Sequence, residues 1–284
     1  MSSWRALVVF LILCGSAIGQ NNSRPEFEVA SIKPAAPDAR GMFFRRAPGG
    51  RIDLNNMPLK EMITIAWQIQ PFQVSGGPPW LDSTRFDVSA KPENNSKQSD
   101  ILLMIQALLE DRFQLKTHRE TKEQSTYALV MAKKDGKLGP RLNQPKEGGC
   151  TPFDPSKPPT PPEPGKLPTP ACGGMRMGPS SLTASSTPIE RLIPTLSRLL
   201  GRTVVDKTGL TGNFDISLEW APDDSQALQL PPDAPKPPPS DAPAGTTGPS
   251  IFTALQEQLG LKLESQKGPV EIFVIDHAEK PSEN

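Results

Sequence analysis

The chain has 284 residues, with 31 Lys plus Arg against 31 Asp plus Glu, so its formal net charge is zero. That balance excludes a general affinity for nucleic acid or anionic membranes, which needs a basic excess. Thirty-four prolines and an aromatic content of 6% point to an ordered core smaller than the length implies.

The N-terminus carries the pattern of an export signal. Arg5 supplies a positive start, Ala6 to Cys14 is a short apolar run, and Ala17-Ile18-Gly19 has small residues where a signal peptidase reads. The run is shorter than the roughly 20 residues of a membrane span, so cleavage after Gly19 is expected. Leu13 precedes Cys14 where lipidation requires a small residue. The two remaining cysteines, Cys150 and Cys172, flank a proline-rich stretch. In an oxidising compartment they are expected to form a disulfide.

In chain order, Phe27 to Ile32 alternates as a strand and stops at Pro34. Met42-Phe43-Phe44 and Arg51 to Leu54 read as a strand pair turned by Pro48-Gly49-Gly50. Asn55 or Asn56 is placed to cap a helix carrying Leu59, Met62, Ile63, Ala66 and Ile69 at helical spacing. Arg85 to Ala90 alternates, and Ile101 to Phe113 is helical. Phe113 to Lys116 and Tyr127 to Ala132 are expected to pair as a hairpin. The stretch 150–178 is irregular. Ser180 to Ser185 is a weak strand. Thr187 is expected to cap a helix that Pro194 kinks or shortens. Arg202 to Trp220 reads as strand, tight turn and strand. A proline-rich insertion spans 222–249, Ile251 to Leu259 is a helix ended by Gly260, and a last hairpin turns at Lys267-Gly268-Pro269.

The two halves match in pattern. Pro58 to Ile63 resembles Pro188 to Ile193, Phe86-Asp87-Val88-Ser89 resembles Phe214-Asp215-Ile216-Ser217, and Phe113 to Lys116 resembles Leu259 to Lys262. The fold class is therefore α+β, with two related units, each a small sheet with two helices on one face. The expected organisation is a signal peptide at 1–19, an N-terminal unit at 20–145, a disulfide-closed loop at 146–179 and a C-terminal unit at 180–284.

No reactive constellation stands out. Asp206-Lys207-Thr208-Gly209 resembles the phosphorylated-aspartate motif of ion-pumping ATPases, but Leu210 breaks it, and a polar turn is the plainer reading. No phosphate-binding Gly-rich loop and no serine-nucleophile elbow occurs. His118, in an alternating segment, and His277, beside Asp276 and Glu279, read as solvated positions. Trp67, Trp80 and Trp220 read as packing against the sheets, with a carbohydrate-stacking alternative for Trp80 on its Gly-Pro loop. No catalytic residue, cofactor or metal site is assigned.

Phe27 to Pro34, Gly76-Gly77-Pro78-Pro79-Trp80-Leu81, Leu109 to Phe113, Val205 to Gly212 and the ending Val274 to Asn284 together resemble the "soil-associated" family of exported bacterial proteins. That family is a domain of unknown function expanded in acidobacteria, and the resemblance implies no activity. The order helix, strand pair, helix, strand pair more loosely resembles the short N-terminal domains of secretins and TonB-dependent receptors. Both resemblances imply an exported module, and no stretch after the expected signal is apolar enough to span a bilayer. Its expected role is to bind an envelope protein, peptide or polysaccharide, and not nucleic acid. The alternative is a secreted hydrolase or carbohydrate-active protein whose acidic residues converge only in the fold.

Overall fold

A computed structural model describes residues 24–47, 50–92, 96–146, 148–152, 170–221 and 248–281. The leader expected at 1–19 and most of the insertion expected at 222–249 lie outside these residues. The N-terminal half runs β1 (Val29–Pro34), β2 (Phe43–Arg46), β3 (Ile52–Pro58), α1 (Leu59–Trp67), β4 (Val74–Gly76), β5 (Arg85–Lys91), α2 (Gln98–Arg112) and β6 (Lys116–Met131). The C-terminal half runs β7 (Leu142–Asn143), β8 (Met175–Met177), β9 (Ser181–Pro188), α3 (Leu192–Leu200), β10 (Val204–Asp206), β11 (Asn213–Glu219), α4 (Ile251–Ala254, continued by a π-helical turn, Leu255–Leu259) and β12 (Leu261–His277).

The chain is α+β, as its patterning indicates, and its strands form three four-stranded sheets. The first has the order β1-β5-β3-β2 and the second the order β7-β11-β9-β8, so the two correspond strand for strand. The third, β10-β6-β12-β4, draws on both halves. Its centre is the antiparallel ribbon of β6 and β12. Val204 pairs in parallel with Tyr127 on one flank, and Val74 pairs in parallel with Phe273 on the other. An internal twofold therefore runs through the ribbon and exchanges the halves.

Several expected turns are absent for one reason. Phe113 to Lys116 and Tyr127 to Ala132 do not fold into a hairpin, because β6 is one continuous strand. The turn expected at Lys267-Gly268-Pro269 is likewise mid-strand in β12, with Gly268 opposite Gln124 and Pro269 opposite Glu123. In both segments the middle is polar because the ribbon's centre is exposed, and polar residues between apolar ones mimic a turn. Val204 to Asp206 and Asn213 to Glu219 also form no hairpin. The first joins the ribbon and the second pairs with β9.

Helix starts shift as well. Asn56 lies in β3 and Thr187 in β9, where the Thr187 hydroxyl donates to the Ser185 carbonyl at 3.0 Å. The helical turns begin only after Pro58 and Pro188, since a residue before proline is held extended and proline's fixed φ suits a helix entry. Pro194, expected to kink or shorten its helix, lies near the start of α3, a helix of 9 residues. It is the third residue of α3, which continues directly from a 3-10 turn at Ile189–Arg191.

Two cores result, and each is closed by the other half's long strand. Ile32, Leu54, Met62, Phe86, Ile105 and Phe113 pack with Phe273 and Ile275 from β12. Leu182, Leu192, Phe214, Leu218 and Leu255 pack with Leu129 from β6, and Tyr127 and Met131 lie against them.

The halves also share a local device. β3 and β9 each bulge at a non-glycine residue in the left-handed region, Asn56 at φ 52° and Ser186 at φ 46°. The carboxylate of the facing strand holds each one. Asp87 Oδ1 accepts from the Asn56 N–H at 2.8 Å, and Asp215 Oδ1 accepts from the Ser186 N–H at 2.8 Å. Hydrogen bonds to a charged acceptor offset a conformation that costs about 1–3 kcal/mol. Asp87→Ala and Asp215→Ala are each expected to cost about 1.5–2 kcal/mol in urea unfolding, at the low end for charged partners because both carboxylates are only half-buried. Equal stability of either variant and the wild type would show that the carboxylate does not hold the bulge.

Candidate functional site

Strand edges set where a second chain can pair. Outside its contacts with β10 and β4, the ribbon of β6 and β12 has no outer ladder partner among the described residues, but charge covers it. Lys122 pairs with Glu120 at 2.7 Å, and Arg119 pairs with Glu271. His118 lies between two carboxylates, Nδ1 at 2.9 Å from Asp276 and Nε2 at 3.1 Å from Glu120 Oε1. The hydrogen bond to Asp276, followed by that to Glu120, raises the His118 pKa. Glu120 is lowered, first by Lys122 and then by His118. The imidazole is exposed, and in its charged form each ring nitrogen donates to a carboxylate. His118 is an exposed strand residue held between two carboxylates. His277 is also exposed, with Nε2 2.9 Å from Glu279.

The outer edge of β2 is different. All four of its residues are exposed, including Phe43 at 50% and Phe44 at 37%, and Met42 just before it is 36% exposed. Among the described residues β2 ends its sheet and pairs only with β3. Directions follow from the ladder. The Ala47 N–H donates to the Arg51 carbonyl at 2.7 Å, so that pair, and every second pair before it, is hydrogen-bonded inward. Phe43 and Arg45 therefore face β3 with their amides, and Phe44 and Arg46 turn theirs to the open edge.

Arginine surrounds this edge. Arg45 and Arg51 both reach Asp53, at 3.2 Å and 3.0 Å, and the Asp53 side chain is 7% exposed. Arg46 Nη2 donates to the Ser96 carbonyl at 3.3 Å. Burial pushes the Asp53 pKa up, but hydrogen bonds from Arg45, Arg51 and Ser89 outweigh it and hold the group below its ordinary value. A lowered carboxyl stabilises the fold above the unfolded value of about 3.9, and that contribution is lost as pH falls through the folded value. The stability gap between the wild type and Asp53→Asn is thus expected to be widest at neutral pH and to close below about pH 4. A gap that stays constant from pH 7 to pH 3 would contradict it.

The other sequence candidates fall into structural places. Trp80 packs on the first core, 6.4 Å from Phe113 and 6.3 Å from Phe86, with Lys280 5.9 Å over its ring. Trp67 meets Phe273 at 5.1 Å, and Trp220 is buried. Asp206 Oδ1 accepts from the Thr208 N–H at 2.8 Å, a side-chain-closed polar turn. Cys150 and Cys172 are disulfide-bonded, as expected. A hollow of about 340 Å³ is lined by Phe72, Gln124, Ser125, Gly201, Arg202 and Thr203, with no carboxylate in its wall. Among the described residues no group of three or more His, Cys, Asp or Glu is placed to hold a metal, and no helix is long and apolar enough to cross a membrane.

Sequence reading placed a strand at Met42-Phe43-Phe44 but not its position at a sheet edge. The one local signal was three apolar residues followed by Arg45-Arg46 ahead of a Pro-Gly-Gly turn, an apolar run with nowhere inward to go. No curated protein and no solved structure matches the chain. A family model described as a protein of unknown function (DUF3738) matches residues 60–278, from α1 past the end of β12, and the chain belongs to that family.

Proposed function

We propose that the protein is an exported, non-enzymatic interaction module of the cell envelope or secreted fraction, and that its partner adds a strand along β2. The open edge carries this reading. Two outward-facing residues, Phe44 and Arg46, offer backbone groups with no ladder partner among the described residues, and Phe43 and Phe44 supply apolar anchors beside them. Backbone pairing gives affinity in strand addition, and flanking side chains give selectivity. Export is supported by the leader pattern at 1–19 and by the Cys150–Cys172 disulfide, a bond that persists in oxidising compartments. The resemblance to exported soil-associated proteins agrees with it.

The test uses the protein without residues 1–19 as bait in envelope extract, beside a Phe44→Pro variant. Proline there removes an outward N–H and leaves every inward ladder bond in place. Recovery of a specific partner that falls by roughly tenfold or more with the variant is expected. Equal recovery by both proteins would sink the reading.

A further inference from the structure

We infer that β8 is a second docking edge, the twofold mate of β2, and that both edges take an extended acidic segment. This deepens the strand-addition reading of β2 and rests on it.

The correspondence is residue by residue. β2 pairs Phe44 with Leu54, Arg45 with Asp53 and Arg46 with Ile52. β8 pairs Met175 with Ala184, Arg176 with Thr183 and Met177 with Leu182. β3 and β9 are matched by their bulges at Asn56 and Ser186 and by the Pro58-Leu59 and Pro188-Ile189 that follow. Aligned on these, Met175 stands where Phe44 stands, Arg176 where Arg45 stands, and Met177 where Arg46 stands. β8 likewise ends its sheet.

The amide directions match as well. The Gly178 N–H donates to the Ser181 carbonyl at 2.8 Å, and the Ser185 N–H donates to the Gly174 carbonyl at 3.1 Å. Inward pairs therefore fall at 174, 176 and 178, which leaves the backbone groups of Met175 and Met177 facing outward. Met177 is 42% exposed, and Arg176 is exposed beside it. Each edge thus presents outward amides, a large flexible or aromatic side chain and an arginine at the middle.

Charge selects the occupant. Arg40, Arg45, Arg46 and Arg51 surround β2, with exposed Asp38 and buried Asp53 as the acidic groups nearby in the chain. At β8, Arg176 is joined by Arg191, which donates to the Gly173 carbonyl at 2.9 Å, against exposed Glu190. A strand with alternating acidic and apolar residues places carboxylates against arginine and side chains against Phe or Met. A lysine-bearing strand would meet like charge at both edges.

The probe is an acetylated, amidated octapeptide of alternating glutamate and valine, with its lysine–valine counterpart as control. Calorimetric titration of the protein without residues 1–19 is expected to show two acidic peptides per chain, bound at least about tenfold more tightly than the lysine peptide. Met177→Pro and Phe44→Pro are each expected to leave one peptide per chain, and the double variant none. Met177→Ser keeps the backbone N–H and removes the anchor, so it should weaken one of the two sites without changing the fold. One peptide per chain in the wild type, lost in Phe44→Pro and kept in Met177→Pro, would overturn the second edge and leave β2 standing. Equal binding of the lysine peptide would overturn the acidic preference. Binding of neither peptide would overturn the inference, and the envelope capture would then decide on β2 alone.

Discussion

Phe273→Ala is expected to cost about 3–5 kcal/mol, the usual loss for truncating a buried phenylalanine, and to loosen the half of the molecule to which it does not belong in sequence. Phe273 is 3% exposed and lies in the C-terminal strand β12. Its ring nevertheless packs in the core of β1, β3, β5, α1 and α2, 5.1 Å from Trp67 and with Arg119 5.9 Å over it. The twofold counterpart, Tyr127, makes the reciprocal contribution to the second core, 5.6 Å from Phe252 and under the Arg202 guanidinium at 4.9 Å. Tyr127 is only half-buried, so Tyr127→Ala should cost less, about 2 kcal/mol. Because each core needs the other half's strand, neither half can open alone without uncovering both. Amide exchange in Phe273→Ala is expected to rise across α1 and α2 and across α3 and α4 together, in one cooperative step. Faster exchange confined to α1 and α2, with α3 and α4 unchanged, would show that the cores are independent.

That coupling explains what could be read in advance and what could not. Alternation at Phe86-Asp87-Val88 and Phe214-Asp215-Ile216 was legible because one face of each strand is buried and the other is wet. Leu59, Met62, Ile63 and Ala66 were legible as a helix for the same reason, one stripe facing a core. The disulfide followed from the count, since Cys150 and Cys172 are the two cysteines after Cys14. The long strands were not legible. Thr121 to Ser125 are all exposed, so the periodicity vanishes in mid-ribbon and leaves two short apolar ends that read as separate strands. Which strand each end meets is decided across more than a hundred residues, as in Arg119 opposite Phe273, and no local pattern carries that information. Asp87 and Asp215 were visible as matched letters, but their task depends on Asn56 and Ser186 taking positive φ in another strand. The β2 edge was hidden likewise. Phe43 and Phe44 look like core residues until the sheet order leaves them outermost.

The joint between the halves offers the second large effect. Gly139 lies in the segment between β6 and β7, where the chain runs against the end of α4. Its N–H donates to the Leu259 carbonyl at 2.9 Å, and two residues on the Arg141 N–H donates to the Gln258 carbonyl at 2.8 Å. A Cβ on Gly139 would lie 2.3 Å from the Gln258 carbonyl oxygen and 2.6 Å from the Gly260 nitrogen, and both are backbone atoms that no rotamer change can move. Gly260 ends the helix at φ 72°, and a Cβ there would come within 2.6 Å of the Gly139 nitrogen, so the two glycines face each other across the joint. Gln258 extends the link, accepting from the Glu219 N–H at 3.0 Å and donating to the Glu219 carbonyl at 2.7 Å, which ties α4 to β11. Gly139→Ala must therefore push the helix end away from both its neighbours, and a loss of about 3 kcal/mol is expected, the upper part of the range for overpacking. Gly136→Ala is the control. It shares the segment and has φ 69°, but no atom lies within 4 Å of its Cβ position, so only the backbone cost of about 1 kcal/mol applies. Urea unfolding of the two variants separates contact from conformation. If Gly139→Ala proves no more costly than Gly136→Ala, the chain does not seat on α4 as closely as this geometry requires, and the C-terminal core loses the clamp that holds Leu142 in the second sheet.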